Sequence, residues 1–364
     1  MAKRKQITHS KPPTRRNTTL VASARPLLNE LRSLIQRTRD GVAQAVNSSM
    51  VVLYWSVGQR IRKDVIRTSR ATYGEEILST LSKELTIEFG DGYSVPNLSR
   101  MLRFNETFSD AEIVSTLSKQ LSWSHFVEII PIADSLKRNF YTEMCRVERW
   151  SVRTLRAKIQ GLLFERTALS KKPAKLIEQE LQLLSKKGQI SPDLVFRDPY
   201  LLDFLGLKDT YAEKDLEAAI LRELEKFILE LGAGFAFVDR QKRIVIDGED
   251  FYLDRLFYHR PLHRLIAIDL KIGKFTAADK GQMELYLRWL EKHERQPGEE
   301  LPLGLILCAD KSNEQVELLQ LDKSGIRVAT YLTELPSRRI LNRKLNEAIA
   351  LARARLGKEG EAPL

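Results

Sequence analysis

The chain has 364 residues, of which 43% are apolar, and it carries a formal net charge of +11. This length favours two domains with ordinary buried cores. No run of about 18 apolar residues occurs, so we expect no membrane span. The positive charge favours a polyanionic partner such as DNA or RNA, with a basic soluble protein that lacks such a partner as the alternative.

The first residues, MAKRKQITHSKPPTRR, are polar and basic, and they lack the apolar stretch of a secretory signal. We therefore expect residues 1–18 to form a disordered basic arm that either follows a phosphate backbone or only increases solubility. The two cysteines, Cys145 and Cys308, indicate a reducing cytoplasm without a disulfide, and no Cys/His cluster has zinc-binding spacing.

Residues 19–170 have apolar side chains three and four positions apart, which predicts a helical domain. One predicted helix ends at Gly90, and a second covers residues 95–108 with Ser94 as its N-cap. Helix, glycine-containing turn and helix together form the outline of a helix-turn-helix.

In a DNA-binding helix-turn-helix, the second helix enters a groove of the nucleic acid. Asn97, Arg100 and Arg103 are then predicted to contact nucleic acid. An ordinary helical hairpin with solvated arginines is the alternative, because the same outline is common in proteins that do not bind DNA.

The lysine-rich residues 171–192 are predicted to form a partly helical connector. After it, KDLEAAILRELEKFILELG predicts one amphipathic helix, and the alternating FAFVDRQKRIVIDGEDFYLDR predicts two strands joined at Asp247-Gly248. A helix near 279–293 and the apolar strand LGLILCAD follow. VELLQL and IRVATYL read as further strands, and a basic helix ends the chain.

Residues 251–271, FYLDRLFYHRPLHRLIAIDLK, predict two strands joined by a tight turn. If Arg260 pairs with His263 across that turn, Asp254 lies directly opposite Asp269, with Cβ atoms about 4.5–5.5 Å apart. Two carboxylates at this distance repel each other unless a cation lies between them.

Lys271 lies two positions after Asp269 and therefore projects from the same face of the strand. Two acids and a lysine on one sheet face predict a site for a divalent metal and an activated water. Mg²⁺ or Mn²⁺ is the expected ion, since a hard cation prefers carboxylate, carbonyl and water oxygens.

This arrangement resembles the PD-(D/E)XK nuclease superfamily, in which an acid ends one strand and (D/E)-x-K ends the next. Asp254 matches the first acid, and Asp269-Leu270-Lys271 matches the second half. The stretch GEDFYLDRLFYHRPLHRLIAIDLKIGKFTAADKGQMELYLRWL, followed by LGLILCADKS, is similar to the YhcG-type nucleases in particular. LYWSVGQRI, YGEEILSTLSKEL and WSVRTLRAKI extend the resemblance to the amino-terminal half.

The resemblance implies an α+β protein. An all-helical domain at 19–170, of helix-turn-helix or winged-helix type, would precede an α/β PD-(D/E)XK domain at 193–340 and a basic tail at 341–364. The expected core order is αβββαβ, which the periodicity also gives.

The chemistry implied for this site assigns Asp254 and Asp269 as direct metal ligands and the backbone carbonyl of Leu270 as a third. Lys271 would orient the attacking water or stabilise the transition state, with a role as base left open. Two departures from the family stand out. Position 269 is Asp where Glu is commoner, and Arg255 replaces an apolar residue, with little expected effect because it should project from the opposite face.

The resemblance also implies that an acid on the first helix of this domain completes the site. Glu217 is the first choice and Glu223 the second. Gln282 is expected to face the site and to position a water or a phosphate oxygen. Tyr286, one turn later, is expected mainly to pack.

Arg240 and Gln241, on the strand before the hairpin, are predicted to contact phosphate. DNA is the expected substrate, and RNA stays open, because basic charge does not separate the two although no RNP motif is present. A single site cuts one strand, so double-strand cleavage requires a homodimer or two successive events.

We therefore predict a metal-dependent endonuclease, and the resemblance alone suggests recombination, repair or defence against foreign DNA as its context. One alternative is a nucleic-acid-binding or complex-assembly protein whose nuclease-like fold does not cut. The other is an RNA-directed nuclease.

Overall fold

The structure, a computed structural model, describes residues 17–67, 71–207 and 211–359. The chain divides into two compact units, one up to Ile130 and one from Pro131 onward. The predicted basic arm lies outside the described residues as far as residue 16, and its last two residues belong to the first helix. The predicted domain limits stay a prediction.

Within residues 17–67 and 71–130, the first unit is entirely helical. Its helices are α1 (Asn17–Arg67), α2 (Ala71–Phe89), α3 (Val95–Thr107), α4 (Ala111–Ser118) and α5 (Trp123–Ile129). The predicted helix, turn and helix around Gly90 are confirmed as α2 and α3.

The helices α1 and α3 cross closely at Gly58. A Cβ atom there would lie 1.9 Å from the Met101 carbonyl oxygen, so this crossing requires glycine. Leu98 and Met101 of α3 are fully buried in the same cluster as Tyr54 of α1. The apolar face of α3 is therefore its inward face, whereas Arg100 and Arg103 are exposed.

The second unit begins with α6 (Ser135–Glu148), α7 (Val152–Gln160), α8 (Leu163–Arg166), α9 (Ala174–Lys187) and α10 (Pro192–Val195). The predicted connector is largely the helix α9, which buries Ile177, Leu181 and Leu184. Arg146 of α6 donates to the Leu184 carbonyl at 3.0 Å, so α9 is packed into the unit.

The second unit continues with the strands of a sheet and the helices that connect them. They are β1 (Tyr200–Leu201), α11 (Glu213–Arg222), α12 (Leu224–Leu231), β2 (Phe235–Ile246), β3 (Glu249–His259), β4 (Arg264–Lys274), α13 (Ala277–His293), β5 (Leu303–Asp310), α14 (Asn313–Leu318), β6 (Ile326–Leu332) and α15 (Arg338–Glu359). In the described part of the chain they form a six-stranded sheet in the order β1-β6-β5-β4-β3-β2.

The strands β2, β3 and β4 are antiparallel, whereas β4, β5, β6 and β1 run parallel. The predicted order of helix, three strands, helix and strand is confirmed, and so is the predicted fold of a helical region followed by an α/β domain. None of the described helices combines the length and the apolar character that crossing a membrane requires.

Two of the predicted elements differ from the structure, and a third is confirmed. The amphipathic helix after the connector breaks at Glu223 into α11 and α12. VELLQL was wrongly predicted as a strand: its first half belongs to α14, because the Ser312 side chain accepts the Gln315 N–H and caps a helix. IRVATYL is confirmed as β6.

Apolar layers cover both faces of the sheet. Ile266, Ile268 and Leu270 of β4 lie in the layer that contains α11 and α12, whereas Leu265 and Ala267 lie in the layer that contains α13. Because side chains alternate along a strand, residues 269 and 271 face the α13 layer.

His259 closes the turn between β3 and β4. Its buried Nδ1 accepts the Leu262 N–H at 3.2 Å, and burial lowers the pKa of His259 from 6.5 to about 4. The neutral form is therefore the one that fits the turn. Above pH 6.5 His259 is neutral in both the folded and the unfolded chain, so it does not affect stability. As the pH falls from 6.5 towards 4, His259 becomes protonated in the unfolded chain but stays neutral in the folded one, and the folded state loses stability.

Between pH 6.5 and pH 4 we expect the titration of His259 to lower the free energy of unfolding by about 1.4 kcal/mol per pH unit. The total loss from this residue is at most about 3 kcal/mol. His259→Asn keeps an acceptor for Leu262 but does not titrate, so it should flatten this slope in urea unfolding. The exposed His263→Asn, in the same turn, is the matched control. Equal slopes for His259→Asn and the wild type would contradict the assignment.

Candidate active site

The register of β3 and β4 brings the two predicted metal ligands together. The ladder runs from the pair His259–Arg264 to the pair Arg255–Ile268, and Asp254 and Asp269 are the residues immediately beyond that last pair. At that point the Leu270 N–H donates to the Asp254 carboxylate at 2.8 Å. A side chain thus takes the place of a strand partner where the ladder ends.

The two carboxyl groups are buried and lie within hydrogen-bonding reach of each other. Burial and repulsion by Asp254 raise the pKa of Asp269 to about 7, although the Lys271 ammonium opposes both effects. A buried carboxylate pair of this kind holds a proton or a cation between its oxygens.

Lys271 Nζ lies 2.9 Å from Asp269 Oδ2. Burial would lower the pKa of Lys271, but the Asp269 carboxylate more than offsets burial and raises it. The side chain is therefore a fixed positive charge at the site. This disfavours the role of base that the sequence had left open.

Gln241 connects the helix acid to the strand acid. Its backbone has a φ of 47°, and its Nε2 donates to Asp254 Oδ1 at 3.0 Å and to Glu217 Oε2 at 3.3 Å. Burial and the Asp254 charge raise the pKa of Glu217. Of the two predicted acids, Glu217 therefore reaches the site. Glu223 does not, since it pairs with Lys226 at the exposed junction of α11 and α12.

Arg255 is fully buried, and the sequence did not identify it as part of the site. Its Nη1 donates to the Asp254 carbonyl at 2.7 Å and its Nη2 to the Glu217 carbonyl at 3.2 Å. The side chain thus joins β3 to α11 directly behind the acids. The only available signal was an arginine within an otherwise apolar strand segment.

The helix α13 contributes a hydrogen-bonded chain at the other side of the site. Tyr286 donates to the Tyr252 carbonyl at 3.0 Å, and Gln282 donates to the Tyr286 hydroxyl at 2.6 Å. Burial, together with Asp269 and Asp254, raises the pKa of Tyr286. Tyr286 is therefore a hydrogen-bonding wall of the site, whereas the predicted contact of Gln282 with a water stays a prediction.

The residues predicted to contact nucleic acid lie on two different elements, β2 and α3. Arg240 is exposed on β2 opposite Arg255, and its charge acts on Glu217. Arg100 and Arg103 are exposed on α3. Asn97 is half-buried: its amide donates to the Gly92 carbonyl and accepts the Trp123 indole N–H, so it is occupied within the unit.

The donor set fits one hard divalent cation in part. Across the described residues, no group of three or more His, Cys, Asp or Glu side chains converges on one point. Asp254 and Asp269 supply two carboxylates, which suits Mg²⁺ or Mn²⁺ with waters completing the shell. The Gln241 amide lies between Glu217 and Asp254, so Glu217 would act through a water or after Gln241 moves.

Both cysteines are buried and unbridged, as expected. Burial raises the pKa of the Cys145 thiol to about 12 and that of the Cys308 thiol to about 11. Neither is a nucleophile at neutral pH.

Two family models match the chain. One, described as the YhcG PDDEXK nuclease domain, matches residues 193–346, and the other, described as the DUF1016 N-terminal domain, matches residues 30–166. The chain is 35% identical over 308 residues to the Escherichia coli (strain K12) protein named "Putative nuclease YhcG". That match covers 76% of this chain and 81% of the relative.

Two solved structures are also similar. A repair endonuclease from Pyrococcus abyssi is 20% identical, with 35% of this chain and 50% of that chain covered and a TM-score of 0.25. The EndoMS–dsDNA complex is 16% identical, with 36% and 48% covered and a TM-score of 0.27. The chain spans about half the length of either structure.

Replacing Arg255 tests whether it holds the site together. Arg255→Met should lower the free energy of unfolding by about 1–3 kcal/mol, because the carbonyl oxygens of Asp254 and Glu217 lose the donors that join β3 to α11. Arg240→Met, at the exposed position opposite in the ladder, should change it by less than about 0.5 kcal/mol. Urea unfolding of both variants measures this, and equal effects would argue against the bridging role.

Proposed function

Since the chain belongs to the YhcG family of PDDEXK nucleases, we propose that it is a divalent-metal-dependent endonuclease acting on DNA. The observation that carries the proposal is the buried pair of Asp254 and Asp269 with the Lys271 ammonium 2.9 Å from one of its oxygens. Phosphodiester hydrolysis requires negative charge to be neutralised at phosphorus, and this site combines ligands for a cation with a fixed positive charge.

In this proposal Asp254 and Asp269 hold the cation, which when bound would activate a water and neutralise the developing charge. The Leu270 N–H and the Gln241 amide keep the Asp254 carboxylate oriented. Lys271 directs its ammonium towards the phosphate oxygens. Glu217 accepts a hydrogen bond from a water on the helix side, and Gln282 orients one on the opposite side.

DNA is the proposed substrate because the chain is strongly basic and the exposed Arg240 lies near enough to Glu217 for its charge to act on that acid. We infer Mg²⁺ or Mn²⁺ as the ion from the two carboxylates. Recombination, repair or defence against foreign DNA is the proposed context. Cutting both strands would take a homodimer or two successive events.

A cleavage assay tests the proposal. Plasmid, linear, branched and single-stranded DNA, with structured RNA in parallel, are incubated with the protein in Mg²⁺, in Mn²⁺ or in a chelator. Asp269→Ala and Lys271→Met should each reduce metal-dependent cutting about 100-fold or more, because each removes charge that stabilises the transition state.

Two matched controls separate the site from general charge. Lys274 is exposed three positions after Lys271 on β4, and Asp250 is near the start of β3. The variants Lys274→Met and Asp250→Ala should both cut at the wild-type rate. Tight binding of DNA without cutting, unchanged in the site variants, would support a binding protein instead. Preferential cutting of RNA would contradict the assignment of DNA as the substrate.

The helix α3 provides a separate test of nucleic-acid binding by the first unit. The double variant Arg100→Ala, Arg103→Ala should bind DNA more weakly irrespective of sequence. It should also reduce the slope of log affinity against log salt by about 2, since two phosphate contacts are lost. Lys83→Ala, Lys119→Ala removes the same charge from exposed positions on the same unit, and an equal effect there would count against α3.

A further inference from the structure

A cavity separate from the acid pair lies within the second unit. It has a volume of about 450 Å³ and lies between the start of α9, the residues around α10, and the strands β5 and β6. Cavities of this size hold small ligands of a few hundred cubic ångströms. Neither the family resemblance nor the proposed chemistry uses it.

Asp198 anchors one side of this cavity. Its Oδ2 accepts from Lys171 at 2.7 Å and from Lys311 at 2.6 Å, and its Oδ1 accepts the N–H and hydroxyl of Thr330. The two lysines hold the pKa of Asp198 well below its usual range even though burial opposes them. One carboxylate thereby fixes two ammonium groups in the wall.

Asp193 repeats this arrangement at a second point of the wall. It pairs with Lys172 and, at 3.4 Å, with Arg327. Each carboxylate thus faces two cations, and Lys172 also binds Glu180. The cationic groups of the lining favour an anionic ligand.

Apart from Arg197, which pairs with Glu230, the rest of the lining is apolar. Leu176, Phe196, Val316 and Val328 contribute to it, alongside the charged groups. Among the described residues, the Lys171 ammonium donates to Asp198 alone, which leaves two of its three N–H donors for a ligand. A ligand with an apolar planar body and one phosphate fits such walls, and a nucleotide has this composition.

The cavity lies at the edge of β6, where Lys311 donates to the Val328 carbonyl and Asp198 accepts the Thr330 N–H, and its lining takes Val328 from the layer that contains α13 and Ala329 from the other layer. Asp269 of β4 is level with Ile306 of β5, which is level with Val328 of β6, and these side chains share the α13 face. Two strand spacings separate the backbones by about 10 Å. This corresponds to about three nucleotide steps of a stacked strand.

We propose that this cavity binds one nucleotide of the strand that the acid pair engages, with its base against the apolar wall and its phosphate at Lys171. The proposal rests on the proposed function, because the nuclease site supplies the strand. Extracting one nucleotide from a stack costs a few kcal/mol and is least costly in single-stranded or mismatched DNA. The cavity would therefore favour substrates with unpaired nucleotides.

Calorimetry on the full-length protein in a chelator tests binding without cleavage. The probes are the four deoxynucleoside monophosphates, inorganic phosphate, and a short single-stranded oligonucleotide. At least one nucleotide should bind about tenfold more tightly than phosphate. Leu176→Trp, which fills the mouth of the cavity, should weaken nucleotide and oligonucleotide binding about tenfold or more.

Matched controls lie on the same helix. Leu183 and Leu176 are both 44% exposed, so Leu183→Trp adds the same ring outside the cavity and should have no effect. Lys171→Gln should weaken nucleotide binding, whereas Lys175→Gln, exposed and outside the cavity, should not. Circular dichroism of each variant checks the fold.

Three results would overturn the proposal: no nucleotide binding, binding no tighter than phosphate, or binding unchanged in Leu176→Trp. Loss of nucleotide but not oligonucleotide binding in Leu176→Trp would assign the cavity to a free nucleotide and overturn its link to the strand. Cleavage of DNA without nucleotide binding would support the nuclease activity and contradict the nucleotide site. Nucleotide binding without cleavage would support the nucleotide site and contradict the nuclease activity.

Discussion

Two carboxylates are held against each other where β3 and β4 stop pairing, and the surrounding structure offsets their repulsion. Asp254 and Asp269 come from different strands, so the sheet must form before they meet. The Lys271 ammonium, the Leu270 N–H and the Gln241 amide each donate to one of them. Burial and the repulsion by Asp254 outweigh these donors, so the pKa of Asp269 still rises to about 7. The pair therefore keeps a standing preference for a cation.

Arg255 explains how the helix side of the site keeps its position. An arginine without a neutralising partner is costly to bury, yet this one is fully buried and donates to the backbones of both β3 and α11. The nearby charges of Glu217 and Asp254 partly oppose the effect of burial on the pKa of Arg255. The acids and the arginine thus compensate one another, and α11 is fixed to the strand that carries Asp254.

Much of this could be predicted from periodicity and register. The alternation in β3 and β4 and the tight turn between them were sufficient to predict that Asp254 and Asp269 lie close together, because a hairpin register follows from its turn. The break at Glu223 and the helix at VELLQL could not be predicted, since both depend on local capping rather than on apolar spacing. Gln241 and Arg255 were missed as bridges because their contacts join residues 13 to 38 positions apart, which no local pattern records.

The charges of the second unit also imply an order of events. A phosphate approaching Asp254 and Asp269 meets two acids and one ammonium, so the bare pair repels the substrate at the point of chemistry. The proposed nucleotide cavity, at the edge of β6 and two strands away from β4, is lined by cationic side chains that would attract the same substrate. Contact with the wall therefore does not require neutral acids, whereas approach to the acid pair does. In the proposed nuclease, neutralisation of Asp254 and Asp269 would be the step that converts a bound strand into one positioned for hydrolysis.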